Sequence, residues 1–399
     1  MPKVNYEILE WARTTAGIEA EEASGKLGFK DNKSRTAVER LELIEKGDEL
    51  PSRAVLSKMS KLYRRPLITF YMSAPPKKGD RGEDFRTLPD IDSPDEEAMV
   101  DALLRNIKAR QAIVKATILA EDESVEHNFI NSLTTKVNVN DAVKEVEKLL
   151  KFNLNQFRQQ KTVEDAFNYL RNLAEELGIF VLLIGDLGSH HTDISVEAFR
   201  GFALADTIAP FIVVNDNDAK SAWAFTLLHE LVHLLLGRSG VSGSKAERPI
   251  EVFCNDVSSN LLLSDQELEK IKINNRMDLE KMVSTIGKFS TKIKVSGSLV
   301  TYRLHRLEKI NFKKWQNVRD ELKRLWLESN SLKKQKSKDS ESGPNYYVVR
   351  CHRLGSALTA FVGRMLDGGA ISTTKAGNVL GVKPKNVHGV LDAFRRGAH

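Results

Sequence analysis

Residues 226–237 read TLLHELVHLLLG, an apolar run that carries His229, Glu230 and His233 in its middle. A helix that is apolar on every side is a buried helix. Burying a carboxylate or an imidazole without partners is costly, so something inside the site must compensate. Positions four apart share one helix face, with Cβ atoms about 6 Å apart. His229 and His233 therefore point the same way, and two neutral imidazoles at that spacing can ligate one divalent metal. Glu230 is rotated by about 100° from His229. From there its carboxylate reaches a water on the metal rather than the metal itself. This is the H-E-x-x-H arrangement of zinc hydrolases. The structural alternative is a pair of core histidines satisfied by backbone carbonyls, with Glu230 at a rim.

Catalytic zinc takes three protein ligands and keeps one position open. The stretch GRSGVSGSKAERPIEVFCNDVSSNLLLS, residues 237–264, supplies candidates for the third. Pro249 suits a first helical turn. From there Ile250, Phe253, Val257 and Leu261 form an apolar stripe, and Glu251, Asn255 and Ser258 a neighbouring polar one. Glu251 has the right chemistry on a helix able to pack against the first. Glu247 competes from the loop before the proline. Asp256 projects elsewhere, and Cys254 reads as a small apolar contact rather than a softer ligand.

Upstream, GIFVLLIGD (178–186), SVEAFRGFALA (195–205) and APFIVVND (209–216) read as strands. FIVVN is β-branched and stops at the turn cluster Asn215, Asp216, Asn217 and Asp218. Placed just before the metal helix, it reads as an exposed edge on which a substrate peptide can pair as an added strand. His190 and His191 read as surface histidines and stay outside the site.

The stretches FRGFALADTIAPFIVVN, AFTLLHELVHLLLG and IEVFCNDVSSNLLLS make residues 178–270 resemble the ImmA/IrrE metallopeptidases. The resemblance implies Zn2+ bound by His229, His233 and Glu251, with Glu230 as general base. It also implies an endopeptidase that cleaves a helix-turn-helix repressor and relieves repression in a mobile element, a phage or a stress response. Leu263-Ser264 stands where that family often has Met-Pro, a structural position. Residues 5–72 resemble the XRE-type helix-turn-helix often fused ahead of this peptidase, through ILEWARTTAGIEAEEASGKLG, LELIEKGDELPS and KLYRRPLITFYM.

In that N-terminal unit Lys33, Ser34, Arg35, Thr36 and Arg40 open the expected recognition helix, where base and phosphate contacts arise. Residues 1–72 hold thirteen Lys/Arg against eleven Asp/Glu, too balanced for tight binding by a monomer. Docking on a protein is the other reading. The partners expected are a repressor substrate and an operator DNA.

The whole chain has 399 residues, enough for several domains. At 41% hydrophobic and 29% charged residues its balance is that of a soluble globular protein. No apolar run is long enough to cross a membrane, and MPKVNYEILEWARTT lacks the apolar core of a secretory signal. Two cysteines, Cys254 and Cys351, make no disulfide framework, so a cytoplasmic protein is expected. Net charge is +6, and residues 313–338 alone, with nine Lys/Arg and three Asp/Glu, account for it. That block reads as a solvated helix entering a linker, with attraction for nucleic acid as the other reading.

The expected fold is mainly α with a small β-sheet. It has a helix-turn-helix bundle over 1–75, a linker and helical connector over 76–145, and a zincin-like α+β metallopeptidase core over 146–312. A basic helix, linker and C-terminal helical block occupy 313–399. Within the last, STTKAGNVLGVKPKNVHGVLDAF shows a second, fainter two-helix pattern. Two further functions stay open. One is a DNA-binding regulator or antitoxin-like protein whose metal site is structural or sensory. The other is an interaction protein with a dead peptidase fold, against which the intact Glu230 speaks.

Overall fold

The computed structural model describes residues 3–76, 94–242, 249–338 and 345–397. Of the linker expected at the start of 76–145, residues 77–93 lie outside the described residues, as do residues 339–344 of the linker expected within 313–399. The chain is mainly helical with one small sheet.

The N-terminal unit is a bundle of α1 (Tyr6–Thr14), α2 (Ala20–Leu27), α3 (Ala37–Lys46) and α4 (Arg53–Leu62), closed by a 3-10 turn over Leu67–Tyr71. Its core joins Ile8, Leu9, Leu27, Leu41, Met59 and Phe70. Arg13 donates to both carboxylate oxygens of Glu45, at 2.8 and 3.0 Å, and ties α1 to α3. Glycines in the left-handed region end α2 and α3 (Gly28, φ +83°; Gly47, φ +85°), as expected where a helix must stop sharply.

After α5 (Pro94–Ala120), residues 121–138 run through turns where the sequence suggests unbroken helix. Then come α6 (Val139–Leu150), α7 (Leu154–Gln159) and α8 (Val163–Glu176), the last opened by a capping box between Thr162 and Asp165. The sheet begins with β1 (Phe180–Leu183) and continues with β2 (Gly201–Leu204) and β3 (Phe211–Val214). After α9 (Lys220–Leu235) the chain adds β4 (Gly240–Ser242), then α10 (Pro249–Leu262), α11 (Asp265–Leu268), α12 (Leu279–Ile293) and α13 (Gly297–Arg306). The long α14 (Phe312–Lys338) packs on α12 and α13, and α15 (Tyr346–Leu354), α16 (Ser356–Asp367), α17 (Thr373–Leu380) and α18 (Val387–Arg395) complete the chain.

Strand order is β1-β3-β2-β4. β1 runs parallel to β3, pairing Phe180 with Phe211, while β2 is antiparallel to both β3 and β4. The reading of FIVVN as an exposed edge is therefore corrected. β3 lies inside the sheet because β1, some thirty residues earlier, claims its second side. The strand expected over 195–205 is shorter as well, since residues 196–198 form a turn ahead of β2.

Side chains alternate across a strand, and here both faces are covered, which explains why the strands are apolar throughout. Val181, Leu183, Ala203, Ile212 and Val214 face a core built with α6, α8, α9, α10, α12 and α13. Phe180, Leu182, Phe202, Leu204, Phe211 and Val213 face a second core built with α5 and α15–α18. The C-terminal helices thus form the outer layer of the sheet. The junction between α15 and α16 is gripped from α8. Arg171 donates to the carbonyls of His352 and Arg353, and Glu175 accepts from the backbone N–H groups of Ser356 and Ala357 at 3.1 and 3.0 Å.

Candidate metal centre

Helix α9 carries the metal-ligand pattern and is buried along almost its whole length, between the sheet and helices α8 and α10. Trp223 anchors its first turn against Phe167, ring centroids 5.4 Å apart. Its last carbonyls find partners in the irregular 121–138 segment. Asn131 N–H donates to Leu234 O at 3.2 Å and Leu133 N–H to Leu235 O at 2.8 Å. Those carbonyls have no partner within the helix, so this segment fixes its end. Gly237 (φ +65°) turns the chain away.

The structure brings His229, His233 and Glu251 together. The two Nε2 atoms lie 3.1 Å apart. Glu251 Oε2 is 3.1 Å from His229 Nε2, and Oε1 is 3.3 Å from His233 Nε2. Four ligands held about 2.0–2.1 Å from a tetrahedral metal are separated by about 3.3 Å. The two Nε2 atoms are spaced as two such ligands, and one Glu251 oxygen faces each of them, so the three side chains converge on one place. The donor chemistry points the same way. Glu251 and Glu230 bring two carboxylates to a buried place that needs positive charge. His233 interacts with both carboxylates. Burial lowers its pKa, yet Cys254, Glu251 and Glu230 together raise it well above the usual histidine value. Burial likewise raises Glu251, but hydrogen bonds from His229 and His233 outweigh it and hold the carboxyl below its ordinary range.

Glu230 is fully buried and lies under β2. A Cβ added at Gly201 would sit 3.0 Å from Glu230 Oε1 and 2.6 Å from Thr226 Cγ2. Gly201 is thus the residue that lets the strand press onto the glutamate. It was not singled out in the sequence, although a lone glycine inside an apolar strand signals such a close approach.

Cys254 is fully buried beside His233 and stays out of the ligand set. Burial pushes its thiol pKa up. Asn255, one turn beyond Glu251, is half-buried, while Ser258 is fully buried. Asp256 faces α13, accepting from Tyr302 Oη at 2.7 Å and from Arg306. Glu247 lies outside the described residues. His191 belongs to a 3-10 turn over His190–Thr192, outside the cluster.

Residues 174–305 match the family model of the IrrE N-terminal-like domain, peptidase M78. The match supports a peptidase of the ImmA/IrrE family. It runs from the last turn of α8 to the last turn of α13, about a third of the chain, and encloses the four strands of the described residues and both metal-site helices. No curated protein and no solved structure matches the chain. No described helix is long and apolar enough to cross a membrane.

Four of the five candidate DNA contacts of the N-terminal bundle have local partners. Thr36 is the N-cap of α3 and shares a capping box with Glu39. Arg35 and Arg40 lean on Glu49 from either side, at 3.5 and 3.9 Å. Ser34 donates through N–H and Oγ to Asn32 Oδ1, both at 2.9 Å. Lys33 is exposed.

Proposed function

We propose that the protein is a zinc-dependent endopeptidase that cleaves a helix-turn-helix transcriptional repressor. The observation that carries this reading is the convergence of His229, His233 and Glu251, with the two Nε2 atoms 3.1 Å apart and a Glu251 oxygen 3.1 Å from one and 3.3 Å from the other, beside a buried Glu230. Those three side chains would hold the ion, and zinc bound there supplies Lewis acidity towards a peptide carbonyl and towards water. Glu230 acts as general base. It takes a proton from the attacking water and passes it to the leaving amine nitrogen. Its burial under Gly201 and Thr226 keeps bulk water from the carboxylate and holds it in one place. With β3 inside the sheet, an extended substrate pairs at the outer edge of β4, whose Ser242 lies opposite Gly201. The N-terminal bundle docks the repressor. Glu19, Glu21 and Glu22 at the start of α2 suit a protein partner better than DNA phosphates.

The test compares the wild type with Glu230→Gln. Zinc is measured by elemental analysis, and each protein is incubated with the repressor encoded beside it. Cleavage by the wild type alone, with zinc retained by both, is expected. Zinc-loaded wild type that leaves the repressor intact refutes the reading.

A further inference from the structure

The two-helix pattern near the C-terminus has a role that the peptidase chemistry leaves unused. Helix α17 ends at Gly381, which sits in the left-handed region at φ +63°. Val382 N–H returns to Gly377 O at 2.9 Å and closes the helix end. Only Gly381, Val382 and Lys383 separate α17 from Pro384, which opens a 3-10 turn running straight into α18. A turn of three residues led by glycine is the build of a DNA-binding helix-turn-helix. Gly377 completes it. A Cβ there would lie 2.9 Å from Val382 O and 3.3 Å from Pro384 N, so the turn folds onto the first helix only if this position is bare. The two helices face the core with Ala376, Val379, Leu380, Val387, Val390 and Leu391.

What they leave outside is basic. Residues 368–391 contain three lysines and no acidic residue. Lys375, Lys383, Lys385 and His388 are all exposed. Among the described residues the three lysines make no ion pair; the nearest acids in sequence, Asp367 and Asp392, are both engaged by Arg395. Lys385, in the 3-10 turn leading into the second helix, and His388, in that helix's first turn, are exposed where such a helix meets base edges and phosphates. The N-terminal bundle offers the opposite. Nine residues separate α2 from α3, α2 opens with glutamates, and Arg35 and Arg40 are both drawn to Glu49.

We propose that α17 and α18 form a second helix-turn-helix, and that this surface, rather than the N-terminal bundle, binds double-stranded DNA through Lys375, Lys383, Lys385 and His388. The backbone phosphates supply most of the affinity, so binding is weak and strongly dependent on salt.

The test is fluorescence anisotropy of the full-length protein with a labelled 24-base-pair duplex between 50 and 200 mM salt. The variants are Lys383→Glu/Lys385→Glu, its milder form Lys383→Gln/Lys385→Gln, and Lys33→Glu/Arg35→Glu in the N-terminal bundle. Each phosphate contact adds about 0.9 to the slope of log affinity against log salt. The C-terminal charge reversal is expected to weaken binding at least fivefold at 50 mM salt and to flatten that slope by about two. The glutamine pair is expected to lose less and the N-terminal pair less than twofold. A thermal melt unchanged in the C-terminal variants shows that the motif is still folded. No binding by the wild type, a loss under fivefold in the charge reversal, or equal competition by polyglutamate overturns the proposal.

Discussion

Replacing Gly201 by alanine tests how tightly the strand and the metal helix are locked together. The backbone at Gly201 is an ordinary strand conformation, so alanine brings no dihedral strain, only volume. Its methyl would fall 2.6 Å from Thr226 Cγ2, 3.0 Å from Glu230 Oε1 and 3.0 Å from Val213 O. Relaxing the first contact to ordinary carbon spacing needs a movement of about 1 Å between β2 and α9. Overfilling a packed interior in this way costs about 1–3 kcal/mol, and a catalytic group displaced by about 1 Å loses about 100-fold in rate. Gly201→Ala is therefore expected to lose both stability and cleavage while keeping zinc, because the three atoms nearest the new methyl belong to Thr226, Glu230 and Val213 rather than to a ligand.

The partner substitution is Thr226→Ser. It removes Cγ2, the atom met at 2.6 Å, and keeps the hydroxyl that donates to Ala222 O at 3.3 Å. In the double variant the closest clash is gone. The two changes should couple favourably by about 0.5–3 kcal/mol in urea unfolding, with partial return of cleavage. Val213 O and Glu230 Oε1 remain close, so return is not complete. If Gly201→Ala unfolds and cleaves like the wild type, or if Thr226→Ser restores nothing, the strand does not press on the glutamate as described.

Three more outcomes follow from the same contacts. Glu251→Gln removes the only carboxylate among the three ligands. Zinc at a hundredfold excess over its Kd should stabilise the wild type by about 2.7 kcal/mol in thermal unfolding, and this gain should vanish in the variant. Glu175→Ala strips the start of α16 of its acceptor and leaves Arg171 buried without its ion-pair partner (N–O distance 3.2 Å). A loss of about 3–5 kcal/mol is expected in urea unfolding, and a loss below about 1 kcal/mol would show that the C-terminal helices are loosely attached. Acid should destabilise the fold through His127 and His352. Burial lowers both pKa values below 6.5, for His352 with help from Arg171 and Lys220. The unfolded chain therefore binds these protons first as pH falls, and stability drops from pH 6.5 towards the lower folded values. His352→Gln should shallow that decline, which denaturation midpoints across pH 5–7.5 will read.

The parts legible in the sequence share one property: their signal is local. An oily helix broken by His229, Glu230 and His233 announces itself within five residues. β1 and β3 are short apolar runs bounded by turn residues. The helix after Pro249 shows its stripes without help. What failed to show depends on distant partners. β3 looked like an edge because nothing in FIVVN says that residues 180–183 will pair with it in parallel. β4 is three residues inside a Gly/Ser-rich loop and has no periodicity to read. Arg35 and Arg40 looked available for phosphates, and Glu49 meets them only after the chain has turned at Gly47. The amphipathic helices after residue 345 signalled a buried face, but an apolar stripe does not say what will cover it.

That last point bears on how the two proposed activities share one molecule. The sheet is a single layer with two apolar faces. One face carries α9 and the metal ligands, and the other carries α15–α18 and the basic turn. Arg353 in α15 pairs with Asp186 just past the end of β1 and with Asp216 just past the end of β3, at 2.6 and 2.7 Å. Both acids are largely buried, so removing the arginine would leave them stranded. The C-terminal helices are therefore joined to the sheet by packing and by paired buried charge, rather than hung on a tether. A DNA surface mounted this way holds a fixed orientation to the metal centre. Lys383 and Lys385 are exposed and take no part in those polar joints. Reversing their charge should change DNA affinity and leave zinc affinity alone, whereas loosening the joint at Glu175 disturbs the layer that both functions use.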